Sequence, residues 1–185
     1  MAGAALTWFH DRLGTGMSLG HLLEEATAIG PGSDGLYFLP YMEGMSSPGY
    51  RPTQRGAFHG LSLAHTRGHL VRSILEGVTY GLRTVTETLN TDVAHGAITG
   101  GGAQSRLWRQ IVSDMLGCEL HYYADGTSRG AAMLAAVGCG MHHSLEDVER
   151  AMVPPGEPML PGPSHALYNE GYHEFRTLAR LEEDA

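Results

Sequence analysis

Apolar positions along the chain fall into alternating helical and extended patterns. Leu6, Phe9 and Leu13 recur at helical spacing within 3–13, and "SLGHLLEEATAI" repeats that pattern behind Ser18, a residue type that caps helix starts. After the turn "PGSDG", the short apolar run 36–42, "LYFLPYM", predicts a buried strand. A long loop with Pro48 and Pro52 follows, of a length that compact domains often reserve for function. Residues 65–89 give the strongest helix, with a stripe of Leu70, Ile74, Val78, Leu82, Val85 and Leu89 and Thr66 at its capping position.

The second half alternates strand and helix. Residues 93–99 read as a strand, Gln104 to Leu116 as a helix and 118–123 as a strand with period-two alternation. Residues 127–140 form a small-residue helix suited to close packing on a sheet. A proline-rich wrap, "VPPGEPMLPGP", leads to a closing amphipathic helix with an acidic end. This order predicts a parallel α/β unit, without internal repeats.

Composition narrows the function. The 185 residues carry a net charge of −8, which argues against nucleic acid and anionic membranes as partners. No apolar run is long enough to span a bilayer, and the N-terminus lacks the features of a signal peptide. Cys118 and Cys139 read as small core residues of a reducing compartment, so a cytoplasmic protein is expected.

The chemistry concentrates in "AITGGGAQSRLWRQIVSDMLG", Ala97 to Gly117: strand, three glycines, helix. Gly100, Gly101 and Gly102 can adopt positive φ and let a ligand touch the main chain. The N–H groups at the following helix start favour anions or carbonyls. No Gly-Lys-Ser/Thr follows, so this is not a Walker A loop, and Arg106 stands where a dinucleotide fingerprint needs its third glycine. Two readings stay open on the residues alone: a tight turn without ligand, and a backbone cradle.

Other residues carry less. His65 and His69 have a zinc-compatible spacing, but Thr66 occupies the place of a metalloprotease glutamate and no further ligand pattern is visible. His142 and His143 read as a surface turn, Ser73 as a packing residue and Trp108 as core. Glu76 reads as structural, holding a turn or an interface.

Three ordered stretches carry a resemblance. "ITGGGAQSRLWRQIVSDMLG" followed by "SRGAAMLAAVGCG", and "GAFHGLSLAHTRGHLVRSILE" from Gly56 to Glu76, resemble the C-terminal domain of the FGGY carbohydrate kinases, with "AGAALTWFHDRLG" and "GLYFLPYMEG" in the family's order. Within that family the chain looks most like the xylulokinases, partly because it has Gly-Gly-Gly where glycerol kinases usually have Asp-Gly-Gly. The loop at 44–52 departs from the family, lacking its usual Glu, Arg and Asp.

The resemblance implies an α/β, ribonuclease-H-like lobe of the actin-like ATPase superfamily. It implies that residues 1–185 are part of the nucleotide-binding lobe, incomplete at its N-terminus, with the sugar-binding lobe absent. ATP with Mg2+ would be the cofactor, the metal held mainly outside this chain. Gly101, Gly102 and Ala103 would line adenine and ribose, beside Gly100, with Gln104 and Ser105 at the helix start nearby. Gly3 and Thr7 would flank the nucleotide, Thr7 standing where glutamine is common. Gly130 would lie beside the pocket or pack a helix on the sheet. No residue of the chain matches the family's catalytic base. The expected activity is ATP-dependent phosphorylation of D-xylulose or a related pentulose or polyol by the parent kinase. The alternatives are a non-catalytic nucleotide-binding or regulatory module, half of a split kinase, and an inactive truncated fragment. A sheet lacking its first strands would leave the glycine-loop strand short of a neighbour and open to self-association.

Overall fold

A computed structural model describes residues 2–14, 16–89 and 93–181. The end of the acidic C-terminal run, 182–185, lies outside the described residues. Helix α1 (Ala2–Arg12) buries Ala5, Leu6 and Phe9, while Leu13 is exposed because the helix has ended before it. Helix α2 (Leu19–Thr27) starts on Ser18, whose hydroxyl accepts the His21 N–H at 3.2 Å. Strand β1 (Tyr37–Leu39) pairs antiparallel with β2 (Ala57–His59).

Helix α3 (Arg67–Thr88) is the hub, packed on α1, α2, β1, α4 and α7. Thr66 caps it, and His69 returns the favour through Nδ1, which accepts the Thr66 N–H at 3.1 Å. Its buried face differs from the expected stripe. Val71, Ile74, Leu75 and Tyr80 are in the core, whereas Leu82 and Leu89 are exposed. The first half of the helix is enclosed on nearly all sides, so no single stripe describes it. Gly77 makes the approach to β1 possible: a Cβ there would lie 2.0 Å from the Phe38 carbonyl oxygen.

The second sheet has the order β3 (His95–Thr99), β4 (Glu119–Tyr123), β5 (Glu157–Met159). Strands β3 and β4 run parallel and are joined by α4 (Arg106–Leu116), the expected α/β unit. Strand β5 adds antiparallel from within the proline-rich segment. Among the described residues β3 is an edge strand. Helix α5 (Gly126–Gly138) corrects the expectation of a sheet-packed helix. It buries only Ala136 and lies against α6 (Leu145–Met152), and a Cβ at Gly130 would meet nothing within 4 Å. Cys118 is buried, but Cys139 is exposed at the end of α5 and is not a core residue. Helix α7 (His165–Leu181) closes the core with Tyr168, Tyr172 and Phe175.

A polar network is sealed inside this core. One oxygen of Glu76 accepts from Gly32 N–H at 2.9 Å, Arg72 Nε at 2.9 Å and Tyr168 hydroxyl at 2.8 Å. The other accepts from Ser33 hydroxyl at 2.8 Å. Arg72 donates onward to the Ile29 carbonyl at 2.6 Å and to the Tyr168 oxygen at 3.1 Å. Glu76 therefore holds the 29–33 turn, one of the two structural roles expected of it, and joins that turn to α3 and α7.

Removing the carboxylate leaves Arg72 buried without its counter-charge. Glu76→Ala is expected to lower unfolding stability by about 3–5 kcal/mol, and Tyr168→Phe by about 1–2 kcal/mol, both read from urea midpoints.

The phenols give a pH dependence. Burial first, then the Glu76 charge, pushes Tyr80 and Tyr168 far above the usual tyrosine range. The folded groups stay protonated where the unfolded chain ionises. Their contribution is complete below about pH 10 and declines above it, by about 1.4 kcal/mol per pH unit for each phenol. Urea titrations between pH 8 and 11 should show this decline, and Tyr80→Phe should make it shallower.

Candidate functional site

The glycine turn leaves β3 at the carboxyl end of the parallel pair, where open α/β sheets hold their ligands. Gly100 has φ +94°, a conformation that favours glycine. Gly101 lies in the right-handed helical region, and residues 102–104 form one 3₁₀ turn. Ser105 then caps α4, its hydroxyl accepting the Trp108 N–H at 3.3 Å. The N–H of Gln104 bonds the Gly101 carbonyl at 3.2 Å and that of Ser105 bonds Gly102 at 3.1 Å. Those two amides are used by the turn itself, and Ser105 works as a cap.

The three glycines do different things. A Cβ at Gly100 or Gly101 would meet nothing within 4 Å, so both border open space. At Gly102 it would sit 1.8 Å from the Trp108 ring. Gly102 is a packing glycine, seated on an aromatic face, and Gly100 and Gly101 form the surface offered outward. Ala103 is buried and Gln104 exposed. Trp108 packs against both core clusters, as expected of a core residue, and its Nε1 donates to Thr79 at 3.0 Å.

The neighbouring strand end comes beside the turn. Thr99 hydroxyl donates to the Tyr123 carbonyl at 2.7 Å and accepts the Gly126 N–H at 3.1 Å. The start of α5 is thereby fastened next to the start of the glycine turn, and both open at the carboxyl ends of β3 and β4.

The remaining sequence candidates lie elsewhere. Gly3 and Thr7 are exposed, one turn apart on α1. Beside them a cavity of ≈ 330 Å³ is lined by Ala4, Ala5, Trp8, Pro40, Met42 and Glu43. A second cavity of ≈ 370 Å³ includes Pro40, Met45, Pro48, Leu82 and Trp108 in its wall. Neither has Gly3, Thr7 or residues 100–105 in its lining. The structure thus assembles 100–105 as one unit and puts Gly3 and Thr7 on a separate element. His65 and His69 are committed to the start of α3, where His65 Nδ1 accepts the Ser62 N–H at 3.0 Å and His69 Nε2 lies 3.1 Å from Asp34. Among the described residues no group of three or more His, Cys, Asp or Glu is placed to hold a metal ion, so no residue here is assigned to Mg2+.

Sequence reasoning missed Arg109. It is buried on α4, with Nη1 donating to the Ala103 carbonyl at 3.2 Å and Nη2 donating to both Glu157 oxygens at 3.2 Å. Its guanidinium lies over the Tyr122 ring, 4.2 Å from the centroid. The available signal was an arginine sharing the helix face of Val112, Ser113 and Leu116, where an unpaired charge is rarely buried.

Comparison with known proteins matches the sequence and fold to one family. Residues 1–139 match the FGGY family of carbohydrate kinases, C-terminal domain. The chain is 36% identical over 185 residues to a xylulose kinase of Lactococcus lactis, covering 96% of this chain and 37% of that protein. It is 39% identical over 163 residues to a gluconokinase of Bacillus subtilis, covering 79% of this chain and 32% of that one. The crystal structure of xylulose kinase from Rhodospirillum rubrum superposes with a TM-score of 0.84 at 33% identity, over 98% of this chain and 38% of that chain. Plasmodium falciparum glycerol kinase with ADP shares the fold, with a TM-score of 0.82 at 20% identity over 98% of this chain and 37% of that chain. The chain spans about a third of the length of these relatives. Its sequence and fold together place it in the FGGY family of carbohydrate kinases, in the C-terminal domain with its actin-like ATPase architecture.

Proposed function

We propose that this chain supplies the adenosine-binding part of an ATP-dependent sugar kinase. The observation that carries the reading is the outward face of Gly100 and Gly101 at the carboxyl end of β3, next to the start of α5. Main chain without side chains lets a flat base and a ribose approach closely, and the open space over Gly101 is where a side chain would intrude. Gly100 and Gly101 would hold the adenosine on their outer face, seated by Gly102 and Ala103 beneath, with Gln104 at its edge and Gly3 and Thr7 contributing from α1 in the assembled enzyme. ATP, when bound, supplies the phosphoryl group to the sugar hydroxyl. Phosphoryl transfer also needs phosphate contacts, Mg2+ and a proton acceptor. We assign these to parts of the enzyme beyond the third of its relatives that this chain matches. A pentulose such as D-xylulose is the favoured substrate, since xylulose kinases recur among its similar relatives; gluconate and glycerol are the next candidates. The two free cysteines suit a cytoplasmic setting.

Calorimetry on the 185-residue chain is expected to show weak binding of ATP, ADP and AMP with little preference among them. Submicromolar, triphosphate-selective binding would contradict the reading. In a coupled assay the same chain should not phosphorylate D-xylulose, and metal-dependent turnover would overturn the assignment of the proton acceptor.

Gly101 and Gly102 should separate. Gly101→Trp is expected to abolish nucleotide binding with an unchanged thermal midpoint. Gly102→Ala should destabilise the fold by about 1–3 kcal/mol, because Trp108 must move. A stability loss at Gly101 matching that at Gly102 would show that both glycines are packing residues.

A further inference from the structure

The glycine turn is held from below by two consecutive residues of α4. Trp108 fills the volume that a Gly102 side chain would need. Arg109 reaches back six residues to the Ala103 carbonyl. We infer that Arg109 is a positioning residue for the nucleotide turn, a guanidinium tie that fixes the turn's shape from inside while its outer face receives the ligand. This rests on the adenosine reading of the turn.

Three features single out Arg109. It is only 5% exposed, so its charge is held in the interior by its partners. Its Nε–H has no hydrogen-bond partner, so its bonding runs through the two terminal nitrogens, one to the turn and one to Glu157 on β5. Its flat face lies on Tyr122 of β4. The guanidinium therefore joins the turn, β4 and β5 at one point. A planar fork can bridge a carbonyl and a carboxylate while stacked on a ring. An ammonium group is a compact point donor and cannot make all three contacts.

The tie also explains why the turn can be open outward. Gly100 and Gly101 have no side chains to hold them, and Ala103 contributes one methyl group. Beyond the two hydrogen bonds within the turn, their conformation is held through the Ala103 carbonyl and the Gly102–Trp108 contact, both on the inner side. Loss of the carbonyl contact should loosen residues 100–104 and leave the sheet beneath them paired.

Arg109→Lys tests this, with Glu157→Ala as a second variant that keeps the guanidinium itself, Glu157 being half-exposed. The readouts are amide hydrogen exchange by residue and calorimetric affinity for ADP. In Arg109→Lys, exchange at the hydrogen-bonded Gln104 and Ser105 amides should rise about tenfold, the loss of one charge-assisted bond, while β4 amides keep their rates. ADP affinity should fall by a similar factor. Glu157→Ala should give the same local pattern at smaller size. A uniform rise across β4 and α4, or no change at Gln104 and Ser105 in either variant, would overturn the tie. Faster exchange confined to the turn with unaltered ADP affinity would also overturn it as a positioning device. Should the parent chain bind no ADP at all, the adenosine reading fails, and local exchange alone still decides whether Arg109 fixes the turn.

Discussion

A carboxylate cannot be buried in an apolar core unless nearly every lone pair is answered, and Glu76 sets that condition for this fold. Its oxygens are met by Gly32, Ser33, Arg72 and Tyr168, which come from a turn, a hydroxyl in that turn, α3 itself and α7. Apart from Arg72, one helical turn away, these groups lie more than forty residues from Glu76 in sequence and become partners only once α3 is seated. The seating depends in turn on Gly77, which lets the helix backbone lie against β1. With α3 fixed, Thr79 receives the Trp108 indole, and Trp108 seats Gly102. A chain of contacts thus runs from the buried carboxylate to the glycine turn. The hub helix gives the turn a rigid floor, so the turn can stay free of side chains on its outer face.

The division of labour among the three glycines follows from this floor. Gly102 faces inward and is required by packing, and Gly100 and Gly101 face outward into open space. A run of identical residues therefore contains two distinct constraints. The family resemblance points to the whole run, and only the geometry separates the seat from the cradle.

Much of the frame was legible in the chain. Ser18, Thr66 and the strand–helix–strand order after residue 93 each announced their element, because capping chemistry and periodicity are local signals. The short elements were not. Strand β2 has three residues, too few for a period to show. Strand β5 contains Pro158, which argues against a strand unless that strand lies at an edge, as this one does among the described residues. Helix α6 passed unnoticed although Ser144 caps it and Leu145, Val148 and Met152 share its face. At the site, the turn was readable from its glycines, while Ser105, expected beside the nucleotide on resemblance, serves as the cap of α4. Arg109 was hidden, because its partners Ala103, Tyr122 and Glu157 sit on three different elements. Gly3 and Thr7 came from resemblance alone, and the fold leaves them on a helix of their own.

The central claim is that the main chain of one turn receives an adenosine. Amide chemical shifts of the 185-residue chain, followed during titration with adenosine monophosphate, address it most directly. The account expects the largest changes at Gly100 to Ser105, smaller ones at Gly126 and the first turn of α5, and little change elsewhere. Saturable changes centred instead on residues 40–48 and Val78 to Val85, the walls of the cavity beside Trp108, would contradict it by moving the ligand site off the glycine turn.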